Sequence, residues 1–374
     1  MTASKVLIVR PDGPAAFGMT PARRLERLAA RAGLTIIDAA GTDRAGDADV
    51  IIRADQVYGA SLFNALVETA PGAVLVDGTG RALAARVDGA SRDRAAALLD
   101  TATPGSDLPE GMVAIDAATL AGRHNIHLRK KLVPLLIPAT DRRAVEKALF
   151  DDSYKGVTDL VTKHVWPPLA LPATRWCARQ GITPNQVTLA SAVLVGVAFW
   201  LFWIGQFGLG IVAAWAMTFL DTVDGKLARV TLQSSPFGNI FDHGIDLIHP
   251  PFWYWAWAVG LAASGTALDD GGWTLGVIVA GYILQRGEEA LFLHLFGMQI
   301  HIWRRFDSLF RQITSRRNPN MLILMVATTL GAPREGLIAV AVWTVLCFLI
   351  HLARIGQAIA ARRTGPLSSW LAEA

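Results

Sequence analysis

Charge is scarce in this chain. Only 18% of its 374 residues are Asp, Glu, Lys or Arg, against 52% hydrophobic ones, a balance that excludes a disordered or highly charged protein. The signs nearly cancel: 35 basic and 31 acidic residues leave +4, too small an excess to imply a nucleic-acid partner unless it is clustered. Cysteine is almost absent. Cys177 and Cys347 support neither a disulfide framework nor a thiolate metal site, and they fit a reducing, cytosolic setting. Tyrosine is rare too, with four residues against 12 Trp and 15 Phe, and such apolar aromatics suit lipid-facing and interfacial positions. The first ~140 residues lack any apolar run long enough to cross a bilayer. Their opening Lys5–Arg10 run is too short and punctuated for a signal peptide, so this end is expected in the cytosol.

What is present divides the chain into three parts. Strand-like runs near residues 5–10, 34–37, 50–53 and 74–77 alternate with helical patterns, the first opened by Thr20 as N-cap and Pro21 at the first helical position. This predicts an α/β domain over residues 1–140. Gly78-Thr79-Gly80-Arg81 resembles a phosphate loop, but it lies between strand-like runs and reads as a hairpin turn. His124 and His127 lack a third ligand at a plausible spacing. Residues 141–182 form a polar, helical juxtamembrane linker interrupted by Trp166-Pro167-Pro168, where two prolines force a bend.

Residues 183–374 predict an all-α bundle of six transmembrane helices. The candidate spans are Val187–Ile204, Gly208–Leu220, Ile245–Ala263, Trp273–Phe296, Met321–Leu330 and Leu337–Ala353. With the N-terminal domain inside, nearly all of the loop Lys and Arg fall on the cytosolic side, so both termini are expected there, in the cell's inner membrane. Arg129-Lys130-Lys131 and Arg316-Arg317 read most simply as attractions for anionic headgroups.

The chemistry concentrates in one stretch. Asp221-Thr222-Val223-Asp224-Gly225-Lys226-Leu227-Ala228-Arg229 is followed by Gly238, Asp242 and Asp246. Spacings of three and four place each aspartate pair on one helical face. Each carboxylate costs ~2.5–3.5 kcal/mol at a bilayer centre, so the four need a wet cavity, cations or both. Hard divalent cations with oxygen ligands, Mg²⁺ or Mn²⁺, answer that need. The bland alternatives are an ion path in a transporter and polar packing glue in a non-enzymatic scaffold.

The stretch resembles the signature of the CDP-alcohol phosphotransferase family, D-x2-D-G-x2-A-R-x8-G-x3-D-x3-D, at every fixed position. The resemblance covers roughly the last 190 residues and includes Pro184-Asn185 and Thr188. It implies an enzyme that moves a substituted phosphoryl group from a CDP-alcohol to an acceptor hydroxyl, with release of CMP. Phospholipid or phosphodiester-lipid synthesis is the leading setting, and a soluble CDP-polyol donor is the alternative. It further implies that Asp221, Asp224, Asp242 and Asp246 hold two metal ions and that Asp246 is the base. Asn185, Thr188, Gly225, Ala228, Arg229 and Gly238 would serve the nucleotide, and the family suggests a homodimer. His243, Arg286 and Glu289 are the candidates for the acceptor pocket; mutual pairing within the bundle is the plain reading of Arg286, Glu288 and Glu289, as packing is of His243 and His249. The N-terminal domain more weakly resembles a nucleotidyltransferase-like domain. It lacks the glycine-rich basic loop after its first strand, so it is expected to be non-catalytic.

Overall fold

The computed structural model describes residues 5–9, 13–37, 47–101, 103–105, 107–120, 130, 133–234 and 236–373; the side chains of Asp242 and His243 lie outside this set. Arg10, Pro11, Asp12, His124, His127, Arg129 and Lys131 lie outside it as well.

The N-terminal part is a six-stranded sheet with helices on both faces. Its elements are β1 (Lys5–Val9), α1 (Pro21–Arg31), β2 (Thr35–Ile37), β3 (Val50–Arg53), β4 (Gln56–Tyr58), α2 (Ala60–Glu68), β5 (Ala73–Val76), β6 (Ala82–Arg86), α3 (Arg92–Thr101), β7 (Val113–Asp116), α4 (Ala117–Leu120) and β8 (Leu136–Pro138). The sheet order is β2-β1-β3-β6-β5-β7, with β6 antiparallel to both neighbours and the other pairings parallel. β4 and β8 form a separate antiparallel pair. Alternation along the strands supplies two cores. Val6, Ile52 and Leu75 pack with Leu25, Leu28 and Phe63, whereas Leu7, Ile51 and Val74 pack with Leu99. The expected cap is in place, since the Thr20 side chain accepts from Arg23 N. Gly78–Arg81 is the connection between antiparallel β5 and β6, as the sequence predicts.

The linker contains α5 (Arg142–Asp152), a π-helical turn at Val161–Val165 and α6 (Pro167–Arg179). The proline pair starts α6, where a missing N–H is harmless. The helical part follows with α7 (Pro184–Trp203), α8 (Phe207–Val230), α9 (Pro236–Ala263), α10 (Trp273–Phe296), α11 (Arg305–Phe310), α12 (Arg317–Thr329) and α13 (Pro333–Arg362). Each of the six expected spans falls on one of these helices. α7 opens with a full capping box between Thr183 and Gln186.

Among the described residues, α7, α8 and α13 are each long and apolar enough to cross a membrane. Leu189, Val193, Val197 and Trp200 on α7, and Val342, Val345, Leu349 and Leu352 on α13, point outward, as lipid-facing residues do. Inside, Phe202, Met217, Trp253, Trp257, Leu324 and Leu337 share one core. α7 packs along α8 and α9, and α10 packs along α13. At Gly260 a Cβ would sit 1.9 Å from the Phe202 carbonyl oxygen, so only glycine allows the α7–α9 approach.

Candidate active site

α8 carries the first half of the aspartate motif and α9 the second. Asp224 is 4% exposed and its Oδ2 accepts a 2.7 Å hydrogen bond from the Thr188 hydroxyl of α7. Thr188 therefore acts on a carboxylate in this structure, although its sequence context pointed to the nucleotide. Asn185, three residues earlier, is exposed on the first turn of α7. Gly225 faces the end of the Arg229 side chain, where an added Cβ would stand 3.0 Å from Nη2. Ala228 lies on the same face as Asp221, Asp224 and Gly225 and is half-buried. Gly238 lies in the first turn of α9.

The two halves meet at a residue the sequence reading assigned to headgroups. Arg317, at the start of α12, places Nη2 2.5 Å from Asp221 Oδ2 and Nη1 2.5 Å from Asp246 Oδ1. Its side chain is only 15% exposed, so it faces the carboxylates and not the lipid. Its neighbour Arg316 pairs with Glu289 of α10. Lys130 is also taken up internally, by the Asp152 carboxylate at 2.9 Å. These three side chains correct the headgroup expectation: buried and part-buried carboxylates compete for them more strongly than a screened surface does. Sequence offered one hint, an Arg pair at the mouth of an apolar helix in a chain whose other apolar helices carry acids.

A cavity of ≈430 Å³ opens beside Asp246 and is lined by Lys155, Arg286, Arg311, Arg316 and Arg317 among others. Arg286 is among the residues that line this cavity. Glu289 stands behind it, held by Arg316, by His301 Nε2 at 3.2 Å and by Arg286 at 3.6 Å. Glu288 lies 3.5 Å from His351 Nδ1. His249 packs edge-on against Trp253 and donates from Nδ1 to the Ile245 carbonyl at 2.7 Å, which is the packing role. A larger cleft of ≈790 Å³ between the ends of α10 and α13 contains none of the motif residues.

The donor set can be tested against a hard cation. Asp221 and Asp246 converge on one positive charge, and every donor of the described motif is oxygen. No three described His, Cys, Asp or Glu side chains cluster tightly enough to form a metal site by themselves. The donors present are carboxylate oxygens, the chemistry a hard divalent ion takes, with the Asp242 side chain outside the described set.

Residues 181–306 match the CDP-alcohol phosphatidyltransferase family model. The helical part of the chain is similar to that family over this stretch. Among curated relatives, the bifunctional IPC transferase and DIPP synthase of Rubrobacter xylanophilus is 28% identical over 208 residues, 53% of this chain and 43% of that protein. Cholinephosphotransferase 1 of Gallus gallus is 46% identical over 138 residues, 32% of this chain and 38% of the relative. The phosphatidylinositol phosphate synthase of Mycolicibacterium smegmatis is 35% identical over 89 residues, 23% of this chain and 40% of the relative. The chain thus spans about two-fifths of the length of these relatives.

Proposed function

We propose that this chain is a membrane-integral CDP-alcohol phosphotransferase that makes a phosphodiester-linked lipid and releases CMP. The observation that carries the reading is the meeting of Asp221 and Asp246 on one cation at the edge of an arginine-lined cavity. Asp221, Asp224, Asp242 and Asp246 would hold Mg²⁺ or Mn²⁺, two ions as the motif implies, and the metal would supply charge neutralisation on the diphosphate. Thr188 orients Asp224. Gly225 and Ala228 leave the face of α8 low enough for cytidine, with Arg229 beside it. The acceptor hydroxyl attacks the phosphorus bearing the donor alcohol, its proton passes to Asp246, and the bond to CMP breaks with the electron pair leaving on CMP.

The cavity also bears on the acceptor. Five basic side chains around ≈430 Å³ favour an alcohol that itself carries a phosphate, since a guanidinium matches two phosphate oxygens at once. Arg317 borders both the carboxylates and the cavity, so released from the first it remains beside the second. Six crossings, cytosolic termini, an inner-membrane location and a homodimer complete the proposal. The N-terminal domain, with a nucleotidyltransferase-like strand pattern, is proposed to be non-catalytic: its loop after β1 buries Phe17 where a nucleotide phosphate would need open backbone N–H groups.

The test supplies the purified full chain with CDP-diacylglycerol, Mg²⁺ and paired acceptors with and without a phosphate, such as inositol phosphate and inositol, and measures CMP. Release that depends on the phosphorylated acceptor supports the reading. Equal release with the neutral acceptor refutes the anionic-acceptor assignment.

A further inference from the structure

The C-terminal end of α8 is gripped by the α/β domain. α8 closes with the carbonyl of Ala228 accepting from Gln233 N at 3.0 Å and that of Arg229 from Leu232 N at 3.4 Å, a reversal that places Leu232 at φ +54°. Glycine normally takes this position, because a side chain in the left-handed region is strained. Here the Leu232 side chain offsets the strain by burial: it is 9% exposed and joins the core formed by Leu25, Leu28, Tyr58 and Phe63 of the α/β domain. The two carbonyls just before it and the Ser234 hydroxyl just after it are met by one face of α1. Arg24 Nη1 donates to Val230 O at 2.8 Å, Arg27 Nη1 to Thr231 O at 2.5 Å, and Arg31 Nη2 to Ser234 Oγ at 3.2 Å. Burial pulls the Arg24 guanidinium down to about 10, which still leaves it charged at neutral pH, where it complements the negative end of the helix.

A second contact reinforces the first. The loop after β1 sends Phe17, 2% exposed, into the cluster formed by Val145, Leu149, Val223, Leu227 and Val230. Phe17 adopts φ +49° and Gly18 φ +71°, and the Phe17 N–H donates to Glu146 Oε1 at 3.4 Å. From the other side Lys226 of α8 places Nζ 2.9 Å from the centre of the Tyr154 ring. Every one of these contacts lies within about two turns of Asp224 or on the connection that leads to α9 and Asp246.

We propose that the α/β domain is a positioning clamp: by holding Leu232 and the last carbonyls of α8, it fixes the separation of the aspartates of α8 from those of α9. The proposal rests on the metal reading of those aspartates. Leu232 and Arg24 act only through α8, so they are positioning residues. The domain would thereby serve catalysis without binding a nucleotide of its own.

Leu232→Gly separates clamping from simple helix termination. Glycine suits the left-handed position better than leucine, so a residue that only ended α8 would be replaced without harm. The probe is Mn²⁺, titrated into the detergent-purified full chain and followed by electron paramagnetic resonance, with thermal melting as the check on folding. The clamp predicts a rise in the Mn²⁺ dissociation constant of about tenfold, the low end of what lost outer support costs a metal site. Leu232→Met, which keeps the anchor, should bind as wild type. Arg27→Gln gives the same comparison if Leu232→Gly fails to fold. Wild-type Mn²⁺ affinity in a folded Leu232→Gly chain overturns the clamp. Absence of Mn²⁺ binding in the wild type overturns instead the metal reading on which it rests.

Discussion

Replacing Arg317 with alanine asks whether its guanidinium competes with metal for the carboxylates. The side chain holds Asp221 and Asp246 at 2.5 Å each, and a cation that uses both oxygens must first open these contacts. A hydrogen bond to a charged group contributes roughly 1.5–3 kcal/mol. Asp246, with its side chain 41% exposed, stands at or below the lower end because solvent screens it. Taking about 2–3 kcal/mol for both contacts together, at tenfold per 1.4 kcal/mol, Arg317→Ala should bind Mn²⁺ roughly 30- to 140-fold more tightly than wild type. Without metal the same variant should melt at lower temperature, since two carboxylates then share a partly buried space with no counter-charge. The assay is Mn²⁺ titration by electron paramagnetic resonance, paired with melting curves in chelator and in Mn²⁺. Equal or weaker Mn²⁺ binding by Arg317→Ala would refute the competition and remove the main support for placing a cation between these two side chains.

Thr188→Val removes the 2.7 Å hydrogen bond to buried Asp224; metal affinity should fall about tenfold with the fold intact, and an unchanged Mn²⁺ titration would speak against a role for Thr188 in orienting that carboxylate. Gly225→Leu pushes a side chain onto Arg229 Nη2 and should lower kcat/KM for the CDP donor about 100-fold without loss of helical circular dichroism, so near-normal turnover would show that this face is not where the nucleotide lies. In the α/β domain burial alone would raise the Asp55 carboxyl, but the hydrogen bonds and charges of Arg53 and Arg81 carry it below the ordinary value. Its contribution to stability is therefore complete above the unfolded value of about 3.9 and is lost as pH falls through the lower folded value. Acid melting of Arg81→Ala should consequently begin at higher pH than that of wild type, and coincident acid transitions would contradict the pairing.

The strands β1, β3 and β5 were legible because their apolar runs are bounded by turn residues, and α1 and α7 because Thr20-Pro21 and Thr183-Pro184 mark their starts. The three-residue strands β4 and β8 were not, since a pairing between Gln56–Tyr58 and Leu136–Pro138 spans most of the domain and leaves no local periodicity. β7 was equally hidden: Val113 and Ala114 are exposed at the sheet edge and show no alternation of burial. The aspartate motif was readable because its spacing is local to two helices. Arg317 was not, because its partners lie 96 and 71 residues away and two adjacent arginines look alike until the fold sends one to Asp221 and the other to Glu289. The grip of α1 on α8 was out of reach for the same reason, with more than 200 residues between Arg24 and Val230.

The central claim is tested most directly by CMP release from CDP-diacylglycerol by the full chain in lipid nanodiscs, in Mg²⁺ and in chelator, for wild type and Asp246→Asn. The account predicts release in Mg²⁺ only, lowered at least about 100-fold in Asp246→Asn, as removal of a positioned base requires. Release that persists in chelator, or an Asp246→Asn variant that keeps more than about a tenth of the rate, would contradict it.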